Sequence, residues 1–385
     1  MATQCFTVDK ILTSEGWQLF QKVTVENGTI ADISAASKVA KQHYSGTLIP
    51  GFVDLQVNGG GGKLLNLEPE LATVKAIVDA HRQFGTTAML PTLITDNIDT
   101  MQRSADAVTE AIVEGVDEVI GIHFEGPLLQ KDKKGVHPEQ FIRPVSDAEL
   151  TLYCRQDLGE VLVTLAPDNV SPDVIKDLVE QGVHVCLGHS NASFEQVCTA
   201  LEAGATGFTH IYNAMSPLTS REPGMVGAAL ADKASYAGLV LDHHHVHPAM
   251  SKLAIETKGI DKVFLVTDAM AHVGCAQQSL PYFDTLIQRD GDKLTTPDGT
   301  LAGSCLDMRQ AVLNAHRDLA LPLEQAIAMA SHTPASYLGM TDRLGELAVG
   351  KRADYILLDS TLNIDTVFVA GVQKTNKAGI NHDQQ

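Results

Sequence analysis

The chain lacks a basic excess, paired cysteines, a long apolar run and a phosphate-loop signature, and each absence removes a class of function. With 28 Lys and Arg against 47 Asp and Glu, its net charge is −19 over 385 residues. That balance opposes a track for nucleic-acid phosphates, so an anionic substrate would need a few specific donors. The six cysteines, at 5, 154, 186, 198, 275 and 305, form no C-x-x-C pair. This leaves neither a zinc-knuckle pattern nor a secreted disulfide framework, and a reducing compartment is expected. The opening MATQCFTVDKILTSEG has no basic segment followed by an apolar one, and no stretch approaches a membrane span. A soluble, cytoplasmic protein follows as the expectation. The stretch NGGGGK at 58–63 lacks the G-x-x-x-x-G-K-[ST] spacing, so it reads as a βα loop in preference to a nucleotide site.

What is present is a composition of a folded protein, 44% hydrophobic and 19% charged, and long enough for one large barrel with an appendage. Both ends are short and β-like: CFTVDKIL, WQLFQKVTVENGTIADI and GTLIPG at the start, LGELAVGKRADYILLD and IDTVFVAGVQK at the finish. They are expected to pair as a small β-sandwich domain of residues 1–49 and 345–385. Between them, over 50–344, apolar runs alternate with helical stretches such as LATVKAIVDAHRQFG. There are eight runs: FVDLQV, TAMLPTLI, VIGIHFEG, VLVTLAPD, HVCLGHS, GFTHIYN, AGLVLD and VFLVTD. Eight strands with intervening helices predict an α/β fold, a (β/α)8 TIM-type barrel, whose chemistry belongs at the C-terminal strand ends. A doubly wound sheet would gather its ligand at one switch point instead.

The strand ends carry metal-ligand side chains. Glu125, His189 and His210 close three of the runs. Alone, each reads as well as a buried or rim polar residue; together on one barrel face they predict a site for zinc or another first-row divalent ion. Asp268 ends the eighth run and is either a proton carrier beside that ion or the N-cap of a following helix. In DHHHVHP, adjacent side chains on a strand end alternate in direction, so only one or two face the mouth. His123, two residues before Glu125, is expected to support the ligands from behind.

In order along the chain stand PGFVDLQVNG, LPTLIT, HFEGP, KKGVHP, TLAPD, GHSNA, THIYNAMSPL, REPGMVGA, LVTDAM, DGTLAGS and LGELAVGKRADYILLD. With these eleven segments the sequence resembles the amidohydrolase superfamily, and within it the N-acetylglucosamine-6-phosphate deacetylases. The resemblance implies hydrolysis of the N-acetyl group of N-acetyl-D-glucosamine 6-phosphate to the amino sugar phosphate and acetate. N-acetylgalactosamine 6-phosphate, or a non-catalytic scaffold, is the alternative. It implies Glu125, His189 and His210 as metal ligands, Asp268 as general acid and base, and His137 as the group polarising the acetamide carbonyl. Val136, His137, Asn213, Ala214, Asp242, His243, His244, His245, Leu301, Ala302 and Gly303 match substrate-contacting positions. Arg221 matches a phosphate-binding arginine that crosses the interface of a homodimer. Many superfamily members hold a second metal with H-x-H after the first strand, whereas this chain reads Gln56-Val57-Asn58. One divalent ion per subunit is therefore expected, zinc first, with iron, cobalt or manganese able to use the same set.

Overall fold

In the computed structural model, which describes residues 3–374, the eight apolar runs form one parallel sheet. Its strands are β1 (Phe52–Val57), β2 (Thr86–Ile94), β3 (Gly121–Glu125), β4 (Glu160–Leu165), β5 (His184–Leu187), β6 (Gly207–Phe208), β7 (Tyr236–Leu239) and β8 (Val263–Leu265). They are hydrogen-bonded in chain order and buried along nearly their whole length. Strands covered on both faces need continuous apolar runs in place of alternation, which is why the sequence shows them as blocks. The ring closes just beyond β8. Val57 bridges to Ala269, the Asp268 N–H donates to the Gln56 carbonyl at 2.9 Å, and the Asn58 N–H donates to the Ala269 carbonyl at 2.9 Å.

A helix follows each strand, starting with Leu71–Arg82 after β1 and Ile98–Val113 after β2. The first buries Val74, Ile77, Val78 and His81, a spacing that lines one helical face against the sheet. The second starts where the Asn97 side chain accepts the Thr100 N–H at 2.9 Å. Among the described residues no helix is long and apolar enough to cross a membrane.

Both ends of the chain contribute to a seven-stranded sheet, with Gln4–Thr13, Gly16–Glu26, Thr29–Ala35 and His43–Pro50 joined by Tyr355–Leu358, Ile364–Val369 and Val372–Lys374. The two ends meet antiparallel, Leu357 opposite Leu48. The sheet curls until its margins touch through Ala353, whose N–H donates to the Gly28 carbonyl and whose carbonyl accepts the Gly371 N–H, both at 2.8 Å. It encloses a core of Phe6, Val8, Val25, Tyr355 and Phe368, while Ile49 and Ile356 join the barrel core. Of the predicted 345–385 segment, residues 375–385 lie outside those described.

A third, three-stranded sheet (Ser279–Tyr282, Thr285–Asp290, Lys293–Thr295) is inserted after β8. This flap has its own core, where Leu280, Tyr282, Ile287 and Leu294 pack with Ile94, Met270 and Ala302 at the barrel mouth. The glycine stretch 58–63 forms a minute hairpin, Gly59–Gly60 against Lys63–Leu64, tied to the first helix where His81 Nε2 meets the Gly59 carbonyl at 2.9 Å. A Cβ at Gly59 would collide with the Lys63 carbonyl oxygen, so close backbone packing explains the glycine there.

Candidate active site

Each strand turns away sharply where a ligand-type side chain begins. Glu125 is the last residue of β3, in register with Thr164 of β4 and Ile94 of β2. His189 and His210 follow β5 and β6 by two residues, and Asp268 follows β8 by three. These last three adopt positive φ (48°, 32° and 50°), a conformation that costs an L-residue energy and is held here by the surrounding packing. The three turns aim their side chains over the top of the barrel.

Glu125, His189 and His210 converge. His189 Nε2 and His210 Nε2 lie 3.1 and 2.9 Å from Glu125 Oε1 and 3.0 Å from each other. His189 Nδ1 donates to the Lys133 carbonyl at 2.8 Å, which leaves its Nε2 as a lone pair facing a carboxylate oxygen. A proton on His210 can serve one of these contacts at a time; a divalent cation serves all three. Ligands on a tetrahedral zinc at about 2.0–2.1 Å stand about 3.3 Å apart, close to the spacing observed. The donor set therefore fits a metal ion, and among the described residues these three form the one group of ligand atoms gathered within 4.8 Å. Burial opposes the charge on Glu125, yet the imidazoles of His189 and His210 against it, with His137 nearby, hold its carboxyl well below the usual range.

His137 stands at the wall of the cavity, its Nε2 3.8 Å from Glu125 Oε2. The Thr95 N–H donates to its Nδ1 at 3.3 Å, and the Thr95 hydroxyl contacts the same nitrogen at 2.9 Å. Accepting at Nδ1 puts the imidazole hydrogen on Nε2, facing the cavity. Burial, with His189 adjacent, lowers its pKa to about 3, so it stays a neutral donor.

Asp268 lies across the site from His137. Its Oδ1 accepts from the Asn58 amide at 2.7 Å and the Gln56 amide at 3.2 Å, and Gln56 also donates to Glu125 Oε1 at 3.1 Å. The two amides therefore face the carboxylates as donors, where imidazoles would present lone pairs. Burial, reinforced by the charge of Glu125, raises the Asp268 carboxyl to about 6. No helix begins after it, which removes the N-cap reading. Beneath it, burial pushes Asp54 up to about 7 although Thr267 donates to it through both N–H and hydroxyl.

A cavity of about 180 Å³ joins these groups. Of the residues expected at the substrate, Val136, His137, Asn213, Ala214, His245, Leu301 and Gly303 line it, as do Asn58 and Thr300. The others lie elsewhere in this chain. Asp242 holds His245, with Oδ2 2.7 Å from His245 Nδ1 and Oδ1 accepting the His244 and His245 N–H groups. His243 pairs with Asp318 and His244 with Asp292 of the flap, both at 2.8 Å. Ala302 is buried in the flap core. Arg221 is exposed, away from the cavity lining. His123 points into the barrel between the Leu55 carbonyl (3.1 Å) and Thr164 Oγ1 (2.8 Å). Thr95 escaped the sequence reading, although the rule that strand ends carry function points at it directly after β2.

The whole architecture has known counterparts. The model of the amidohydrolase family matches residues 47–374. An N-acetylgalactosamine-6-phosphate deacetylase of Shewanella sp. (strain ANA-3) is 49% identical, covering 94% of this chain and 93% of its own. An N-acetylglucosamine-6-phosphate deacetylase of Vibrio furnissii is 35% identical, covering 95% and 94%. The solved structure of N-acetylglucosamine-6-phosphate deacetylase from Pasteurella multocida superposes with a TM-score of 0.93 at 32% identity, covering 97% of this chain and 100% of that one. A family match over most of the chain, on a barrel whose strand ends gather a Glu/His/His set, places the protein: it belongs to the amidohydrolase family.

Proposed function

We propose that this chain hydrolyses the N-acetyl group of N-acetyl-D-glucosamine 6-phosphate, releasing D-glucosamine 6-phosphate and acetate. The observation that carries the reading is the meeting, in one cavity, of a Glu/His/His set with a buried carboxyl on one side and a neutral imidazole donor on the other. An amide is a poor electrophile and an amine a poor leaving group, so the site must activate water, stabilise an oxyanion and protonate nitrogen.

A divalent ion held by Glu125, His189 and His210 supplies Lewis acidity and a lowered pKa for water, with zinc first among the candidates and iron, cobalt and manganese after it. Asp268, as carboxylate, takes the proton of the attacking water as its oxygen bonds to the acetyl carbon. The Nε2–H of His137 donates to the carbonyl oxygen as it gains charge, an interaction that contributes about 3 kcal/mol when well placed. When the C–N bond breaks, Asp268 returns its proton to the nitrogen, leaving acetate and the free amine. Burial, which raises this carboxyl above its ordinary range, makes it the readier to hold the proton between the two halves of that transfer. Asn213, Ala214, His245, Leu301 and Gly303 frame the sugar, and Asp242 orients His245 for it.

Phosphate recognition is completed in a homodimer, where Arg221 of one protomer reaches the neighbouring site. Its exposed position outside its own cavity supports this, and its planar fork suits phosphate oxygens. The amide pair at Gln56 and Asn58 supports one ion per subunit over two. A barrel unit of residues 50–344 carries the chemistry, with residues 1–49 and 345–385 as the small β unit. Six free cysteines suit a reducing, cytoplasmic setting.

The 49% identical relative favours a second reading, in which the substrate is the galactosamine epimer. Acetate release from the 6-phosphates of N-acetylglucosamine, N-acetylgalactosamine and N-acetylmannosamine, measured on a preparation of known metal content, decides. The glucosamine reading expects the first to have the highest kcat/KM with about one ion per chain; preference for the second substrate transfers the assignment to the epimer. Release from none, with no ion bound, leaves only a scaffold.

A further inference from the structure

The flap inserted after β8 reaches both walls of the cavity. On one side the Tyr282 hydroxyl donates to the Val136 carbonyl at 2.9 Å. On the other, Asp292 in the flap's second turn meets His244 Nε2 at 2.8 Å, next to His245. Tyr282 is 3% exposed and belongs to the apolar core that seats the flap on Ile94 and Met270. Burial keeps its phenol protonated, hence a donor.

The Val136 carbonyl is part of the peptide unit that carries the His137 nitrogen. Within its own segment, His137 is held by one backbone bond, its N–H to the Lys134 carbonyl at 3.0 Å, and by Thr95 at the ring. Residues 134–138 are turn and bend between two short 3-10 turns, Lys131–Lys133 and Glu139–Phe141, and pair with no strand. The Tyr282 hydroxyl is therefore the brace that sets the plane of the 136–137 peptide, and through it the direction of the Nε2–H.

We propose that Tyr282 is a positioning residue for the deacetylation. It fixes His137 through the Val136 carbonyl, so that seating of the flap and alignment of the oxyanion donor are one event. This rests on the role of His137 proposed above. A small misplacement of such a donor lowers turnover far more than it lowers affinity, because its partner gains charge only in the transition state.

The test is a double-mutant cycle on the metal-loaded enzyme, using Tyr282→Phe, His137→Gln and the pair, with amide hydrogen exchange followed over residues 133–141. Tyr282→Phe is expected to lower kcat about tenfold with KM within twofold, and to change kcat less than twofold once His137 is already Gln. Exchange over 133–141 is expected to quicken in Tyr282→Phe while the barrel strands keep their protection. Full activity in Tyr282→Phe, a loss that multiplies with that of His137→Gln, or unchanged exchange would overturn the proposal. If His137→Gln retains full kcat, the catalytic role of His137 falls instead, and the exchange result still reports whether Tyr282 braces the segment.

Discussion

Asp268 is a carboxyl made hesitant about its proton. Burial and the charge of Glu125 raise it to about 6, while amides from Gln56 and Asn58 keep it oriented. Asp268→Asn preserves the shape and loses the proton transfer, so kcat should drop by about 10²–10⁴-fold while metal content stays near that of the parent. Near-normal turnover would remove it from the role. The parent should also lose kcat/KM on acidification, because Asp268 must be ionised to accept a proton. That limb lies at or below about 6, since a cation in the triad favours the carboxylate and lowers it further. Arg221 makes a separate forecast: Arg221→Ala should raise KM for the phosphorylated sugar at least tenfold more than for the unphosphorylated one, and equal losses would end its assignment.

The strand ends and the segments that close over them act as units. Residues 268–270 are clasped between β1 and the end of the flap insertion, where the Ser304 N–H donates to the Asp268 carbonyl and the Met270 N–H to the Ser304 carbonyl, both at 2.9 Å. Gly303 makes this possible. Its φ is +55°, and a Cβ there would stand 2.8 Å from the Asp268 carbonyl oxygen and 2.7 Å from Met270 Cγ. Gly303→Ala should cost about 1–3 kcal/mol in denaturant unfolding and lower kcat as Asp268 shifts. Unchanged stability and turnover would show that the clasp yields freely. VFLVTD was legible as a strand while the flap was not: the eight runs announce themselves by continuous apolarity, but the flap's strands, exposed on one face and short, carry no comparable block.

The molecule as a whole stores several uncharged imidazoles. Burial lowers His81, His123 and His272 to about 4 and His137 to about 3, against about 6.5 in an unfolded chain. For each, the folded pKa is depressed, so the unfolded chain binds the extra proton between those values. Their contribution to stability is complete above about 6.5 and is lost as pH falls toward 4. Asp54 and Asp268, raised to about 7 and 6, bind protons in the folded chain first and offset part of this. Asp96 and Asp354, also raised by burial, add to that offset, while carboxyls held low, among them Glu125, Asp157 and Asp359, act with the imidazoles, so acidification leaves a net loss of stability. Urea unfolding of the metal-free protein should show the midpoint falling from pH 6.5 to 4.5; a flat or rising midpoint would contradict the balance.

The eight strands, the helices between them, the β-rich ends and the ligand-type side chains at the strand ends were all written in the chain, because a two-sided buried strand demands an unbroken apolar run and a barrel puts its chemistry where such runs stop. Which of those side chains meet was settled only by closing the ring. Pairing of Gln56 with Asp268 across residues 56 and 268 of the chain brings the Asn58 and Gln56 amides onto the carboxylates. Thr95 finds the His137 ring 42 residues away, and Tyr282 finds the Val136 carbonyl 146 residues away. Contacts of that span carry no local periodicity, and four neighbouring histidines look alike in sequence. Only folding turns His245 inward and pairs His243 and His244 with acids outside the cavity.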